Sequence, residues 1–264
     1  MQAIECVMRA RKQDSCGLLC GLCLGFLTAV CATAGAGNGG GGVVTGDVNA
    51  VNSHVTIGGG AVGNVNSSLV VGNGRLITKT LPVASAFHGV ELSGVFEAEI
   101  QCGKAASVEV SVDENLQPLL AASVRDGVLC VTFTKPVQTK QTPRLKITVP
   151  SLDILRVSGS DQVDVTEIKG KSLLLEHAGT GKVTVAGKVG SLVCTVNGTG
   201  AVDAGKLVCD EATISLSGVG NAVCRPEKKL SVTITGIGGV RCLTRPAEVK
   251  RDISGLGDIE FAGK

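Results

Sequence analysis

Between residues 154 and 261, apolar and polar positions alternate in short runs, and the alternation breaks at a glycine six times. The breaks read Ser158-Gly159-Ser160-Asp161, Ala178-Gly179-Thr180-Gly181, Asn197-Gly198-Thr199-Gly200, Ser217-Gly218-Val219-Gly220, Thr235-Gly236-Ile237-Gly238 and Ser254-Gly255-Leu256-Gly257. Their first glycines step by 20, 19, 20, 18 and 19 residues, and a near-constant period marks a repeat architecture. Four and two residues before each first glycine stand Leu155 and Val157, Leu175 and His177, Cys194 and Val196, Ile214 and Leu216, Val232 and Ile234, Arg251 and Ile253. Four and six residues after it stand Val163 and Val165, Val183 and Val185, Val202 and Ala204, Ala222 and Cys224, Val240 and Cys242, Ile259 and Phe261. Mostly polar residues lie between, so each repeat predicts two period-two strands flanking a glycine turn. One repeat cannot bury its own apolar face, but copies stacked about 4.8 Å apart close a continuous core. The expected fold is all-β: a β-helix-like solenoid of about six 19-residue repeats over residues 151–264.

Residues 75–150 are β-rich too, but read as an entry segment outside the repeat register. Strands are expected over residues 87–94, 95–101 and 107–113, and a short helical turn over residues 114–120, which Pro118 keeps from lengthening. Asp126-Gly127 between apolar runs predicts a hairpin, and residues 144–149 feed a further strand into the first repeat. Pro150 and Ser151 mark the passage between two sub-regions of one domain spanning residues 75–264. Before it, residues 35–74 are rich in Gly, Asn, Ser and Val and predict a spacer whose first part is flexible. Residues 51–57 and 68–71 could add edge strands, and Gly72-Asn73-Gly74 predicts a turn into the folded domain.

Composition fits a narrow coil. There are 37 glycines, no Trp, no Tyr and five Phe, so the interior is to be filled by Val, Leu, Ile, Ala and Cys. With 44% apolar residues and a formal charge of +2, the chain is not expected to be a random coil, and no basic excess points to nucleic acid.

At the start, Arg9, Arg11 and Lys12 precede an apolar run over residues 17–30, and Ala32-Thr33-Ala34 offers a cleavage site before Gly35. Residues 1–34 thus predict an export signal and an exported protein, secreted or held at the cell envelope or surface. The alternative is a leader retained as a membrane anchor, the only membrane attachment expected. A lipid anchor at Cys31 fits less well, with Thr28 and Val30 before it. Cleavage would leave Cys102, Cys130, Cys194, Cys209, Cys224 and Cys242, an even number that suits an oxidising compartment. Cys224 and Cys242 share a repeat position, placing their Cα atoms about 4.8 Å apart, within disulfide reach. Parallel side chains on adjacent turns aim poorly at each other, which favours buried free thiols. No C-x-x-C pair remains to suggest zinc.

The order of Gly72-Asn73-Gly74, Phe87-His88-Gly89-Val90-Glu91-Leu92-Ser93-Gly94, Val112-Asp113-Glu114-Asn115-Leu116, Val124-Arg125-Asp126-Gly127-Val128-Leu129 and the Ser-Gly-x-Gly repeats resembles the auto-transporter adhesin family known as the head GIN domain. The resemblance runs from about residue 72 to residue 263. It implies an all-β, β-helix-like domain exported to the envelope or surface, and brings no catalytic residues to carry over. The cysteine-rich leader and the cysteines within the coil depart from it.

Candidate chemistry is sparse. Of the three histidines, His54 falls in the spacer, His88 before the coil and His177 at an inward repeat position, where a shielded, hydrogen-bonded ring is expected. Serines beside the glycines lack the G-x-S-x-G context of a nucleophile elbow. A calcium roll would repeat every nine residues with a fixed Asp, whereas Asp161 and Asp258 fall at different offsets. A dinucleotide loop needs a following helix. No catalytic, cofactor-binding or metal-binding residue is therefore assigned, and no cofactor is expected. Two function classes remain. The first is a noncatalytic, adhesin-like or structural surface module that presents a rigid coil on a flexible stalk to an extracellular protein or glycan. The second is a carbohydrate-active enzyme on a β-helix scaffold, with Asp161 and Asp164 as its nearest carboxylates but without sugar-stacking Trp or Tyr.

Overall fold

The computed structural model describes residues 69–83 and 85–262. The leader over residues 1–34, His54 and the strand expected at residues 51–57 lie outside them. The first strands are β1 (Val70–Val71), β2 (Leu76–Leu81), β3 (Gly89–Gly94), β4 (Glu97–Cys102), β5 (Ser107–Asp113), β6 (Leu120–Arg125), β7 (Val128–Phe133), β8 (Val137–Gln138) and β9 (Arg144–Val149). The coil follows as β10 (Ile154–His177), β11 (Thr180–Val196), β12 (Thr199–Leu216), β13 (Val219–Ile234), β14 (Ile237–Cys242), β15 (Glu248–Ile253) and β16 (Leu256–Phe261).

The fold is an all-β solenoid. Its strands pair in parallel with like positions over like: Val163, Val183, Val202, Ala222, Val240 and Ile259 form one inward column. Leu175, Cys194, Ile214 and Val232 form another, and every one of these side chains is buried. Each buried Val, Leu or Ile contributes roughly 1.5–3 kcal/mol, so the repeat holds together only when stacked. The six glycine corners bound five complete turns. Further inward side chains, Ile168, Val189 and Leu207, are buried in three successive turns. Register shifts cluster just before them, between Val165 and Ile168 and between Thr184 and Ala186. These bulges absorb the variation in repeat length, and Glu167 there has φ 61.

The entry segment departs from expectation: part of it lies in the repeat register. β3 and β4 pair in parallel with β10, placing Leu92 on Val157, Gly94 on Gly159, Ala98 on Val163 and Ile100 on Val165. Ser93-Gly94-Val95-Phe96 is thus a seventh corner, with Phe96 where the second glycine usually stands. β7 and β9 lie one layer further out on β3 and β4. The period was hidden because an excursion over β5 to β9 separates Cys102 from Ile154 and lays β7 and β9 on β3 and β4 out of sequence order. That excursion ends in antiparallel pairs: β5 on β9, β2 on β5 and β6 on β7. These turn this end of the coil away from further parallel stacking. The hairpin forms at Asp126 (φ 50) and Gly127 (φ 75), and the helical turn is a 3-10 turn over Gln117–Leu119.

One buried cluster runs from Phe87 and Phe96 to Ile259, unbroken at Pro150. Phe133, packed against the cluster, stacks on Phe96 within it, their ring centroids 5.5 Å apart. At the other end, β15 and β16 form the last turn, where Arg251 occupies an inward column and is exposed. An inward charge of that kind discourages another strand from adding.

Candidate functional site

Asp161 replaces the second glycine of its corner, stands over Phe96's place in the turn below, and is 2% exposed. Beneath it the regular path fails, because β7 and β9 are joined by residues 134–143 rather than by a glycine corner. Phe96 N–H therefore donates to Asp161 Oδ1 at 2.7 Å, while Oδ2 meets no partner among the described residues. Burial pushes this carboxyl up to about 7, against the Phe96 hydrogen bond that favours its charged form. Asp164 lies on the outer surface, half-exposed. The two acids face opposite sides of one strand, so they do not converge on a common substrate.

His177 is fully buried in the inward column, as its position predicted, and burial lowers its pKa. The backbone of Val157 and Gly181 comes close enough to favour the charged ring, but neither ring nitrogen closes a well-formed hydrogen bond. That corrects the expectation of a hydrogen-bonded ring. The ring fills the space under Gly200, where a Cβ would lie 2.3 Å from Nε2. His88 is exposed and faces Asp153, Nδ1 to Oδ2 3.8 Å. Cys102, Cys194, Cys209, Cys224 and Cys242 are buried free thiols. Among the described residues, no three His, Cys, Asp or Glu side chains are grouped to hold a metal ion.

Two surface features are formed by several strands together. The first is a concavity of about 340 Å³ on the outer face of β10, β4, β9 and β5. Two rows of outward side chains line it: Gln162, Glu97, Arg144 and Ser111, then Asp164, Glu99, Lys146 and Glu109. Arg144 Nε lies 2.9 Å from Glu97 Oε2 and Lys146 stands between Glu99 and Glu109, opposite-charge neighbours that stabilise the sheet, while Asp164 stands against the like charge of Glu99.

The second feature, not assigned from the sequence, is formed by the residue between the two glycines. That residue points outward from every corner. It is Ser160, Thr180 and Thr199 in three successive turns, then Val219, Ile237 and Leu256. The last three stack in register and are 52%, 52% and 76% exposed. The glycines beside them carry no side chains, so an open shelf of about 510 Å³ runs past Thr199, Val219 and Ile237. The signal was a run of Val, Ile and Leu at one offset in three consecutive copies. Aligned exposed apolar side chains of this kind mark interaction surfaces.

The sequence profile of a family described as "Putative auto-transporter adhesin, head GIN domain" matches residues 86–246, a narrower span than residues 72–263. Among solved structures, a "putative adhesin" from Bacteroides fragilis is similar with TM-score 0.60 and 20% identity, over 73% of this chain and 99% of that one. A "putative lipid binding protein" from Parabacteroides distasonis has TM-score 0.46 and 20% identity, over 74% and 99%. A "putative adhesin" from Parabacteroides merdae has TM-score 0.42 and 23% identity, over 74% and 99%. No curated protein sequence matches the chain.

Proposed function

The chain belongs to the auto-transporter adhesin head GIN domain family, and from that premise we propose that it is an exported, noncatalytic, adhesin-like surface module whose contact face is the glycine-corner ridge at Val219, Ile237 and Leu256. The observation that carries this reading is the ladder itself: three large apolar side chains, aligned on a rigid backbone and left in solvent. The ladder has no aromatic ring for a sugar to stack on, which favours an extracellular protein as partner. Each contact is small, so attachment relies on many copies displayed together. The noncatalytic part of the reading is supported by the coil interior, where Asp161 and His177 are sealed among packed Val and Leu, and by the opposed directions of Asp161 and Asp164.

Cells displaying the whole protein should bind spots on an array of extracellular proteins and release no products from common polysaccharides. Selective binding to glycan spots would replace the protein partner. Polysaccharide turnover that disappears in an Asp161→Asn, Asp164→Asn variant of normal stability would overturn the noncatalytic reading.

A further inference from the structure

Cys224 and Cys242 are register partners on β13 and β14, which sets their Cα atoms about 4.8 Å apart, inside the range a disulfide spans. Both side chains are buried in one inward column. Cys242 Sγ lies 3.2 Å from the Thr244 carbonyl oxygen and 3.6 Å from its hydroxyl. The neighbouring Cys224 thiol draws the Cys242 thiol down to about 6 against the effect of burial, while the Cys224 thiol is pushed up by Cys242 and by burial. A thiolate is the attacking species in disulfide exchange, and Cys242, one turn nearer the open end of the coil than Cys224, is the one placed to attack first, with Cys224 resolving.

Position supplies the access that burial denies. Among the described residues, only the last turn, β15 and β16, covers Cys242 from the open end, with Phe261 directly over it. That turn is weakly held: Arg251 replaces an apolar inward residue, and Ile253 is 39% exposed. Opening of such an end is the low-energy fluctuation of a stacked fold.

We propose that Cys224 and Cys242 form a redox pair that a low-molecular-weight disulfide closes into a bridge between β13 and β14. Cys242 thiolate attacks one sulfur of the donor, RSSR, and expels one thiolate. Cys224 then loses its proton and attacks the Cys242 sulfur, expelling the second. Two electrons pass to the donor and two protons leave with the thiols: two Cys–SH and RSSR give one cystine and two RSH. Cys209 lies close enough to act on Cys242 electrostatically, but its Sγ is turned toward the Arg225 carbonyl, so it is not the resolving thiol.

The whole protein, incubated with oxidised glutathione under native conditions, should lose two hydrogens by intact mass. A linked peptide pair containing Cys224 and Cys242 should appear on a non-reducing map, and the melting temperature should rise by several degrees and fall back with dithiothreitol. Cys209→Ser should still form the bridge, whereas Cys224→Ala should stop at a mixed disulfide on Cys242. Failure of the wild-type protein to lose two hydrogens, or a bridge that maps to Cys209, would overturn the proposal. The test needs no attachment assay and stands apart from the proposed function.

Discussion

A Cβ placed on Gly198 would lie 1.9 Å from the carbonyl oxygen of Gly179 in the turn below. The same relation links Gly159 to Gly94, Gly179 to Gly159, Gly218 to Gly198, Gly236 to Gly218 and Gly255 to Gly236, at 1.8–2.1 Å. At these corners the Cα–Cβ direction points down the stack at a backbone atom that cannot move aside without breaking the next turn. Gly198→Ala should therefore destabilise by several kcal/mol, on the order of the largest single-substitution effects. Gly170→Ala, whose Cβ would meet nothing closer than 3.5 Å, should stay within about 0.5 kcal/mol of the parent. Chemical denaturation of both variants checks this, and equal midpoints would mean the glycines are not stacked.

Val183 points inward and Thr184 outward on β11. Val183→Asp should cost about 3–5 kcal/mol, the scale of an uncompensated buried charge. Thr184 lies between Asp164 and Asp203 in its column, so Thr184→Asp should cost a few tenths of a kcal/mol through like-charge repulsion and Thr184→Lys should not. The order of unfolding midpoints, Val183→Asp far below Thr184→Asp and that below Thr184→Lys, tests the register residue by residue.

Asp161 gives the fold a pH dependence of known sign. Its folded-state pKa, about 7, lies above the ordinary carboxylate value, so its contribution is fully present below about pH 4 and is lost as pH rises through 7. His177 acts oppositely: its lowered pKa means stability present above about 6.5 and lost as pH falls. Asp161→Asn keeps an oxygen for Phe96 N–H and removes the charge. Relative to the parent, it should gain stability between pH 5 and pH 8, by an order of ~2–4 kcal/mol. A difference that is flat or declines over that range would place the carboxylate in solvent.

Much of the coil was legible because backbone stacking allows only glycine at the first corner position and period-two alternation assigns each remaining side chain to a face. Leu155, Val183, Cys194 and Val240 could be placed inside from offsets alone, and so could His177. The corner at Gly94 was not legible, since β5 to β9 intervene before the next copy and Phe96 stands in place of the second glycine. Ile168, Val189 and Leu207 were missed because bulges shift their offset from turn to turn. Asp161 stands with Asp164 as a nearby carboxylate in the sequence, although it occupies the inward-facing corner place that other repeats give to glycine. Its environment depends on the missing corner between β7 and β9, which no local pattern announces. The ladder at Val219, Ile237 and Leu256 was visible as letters but not as a surface until the turns were stacked.

Attachment of cells displaying Ile237→Asp tests the central claim most directly. Ile237 is 52% exposed on the outer side of its corner, so the charge should leave the unfolding midpoint within about 0.5 kcal/mol of the parent while interrupting the ladder at its middle. Compared with the parent and with Glu99→Gln in the charged concavity, each displayed at equal copy number, Ile237→Asp should lose most attachment to the protein surface the parent binds, and Glu99→Gln should keep it. Full attachment by a folded Ile237→Asp, or loss confined to Glu99→Gln, would contradict the account.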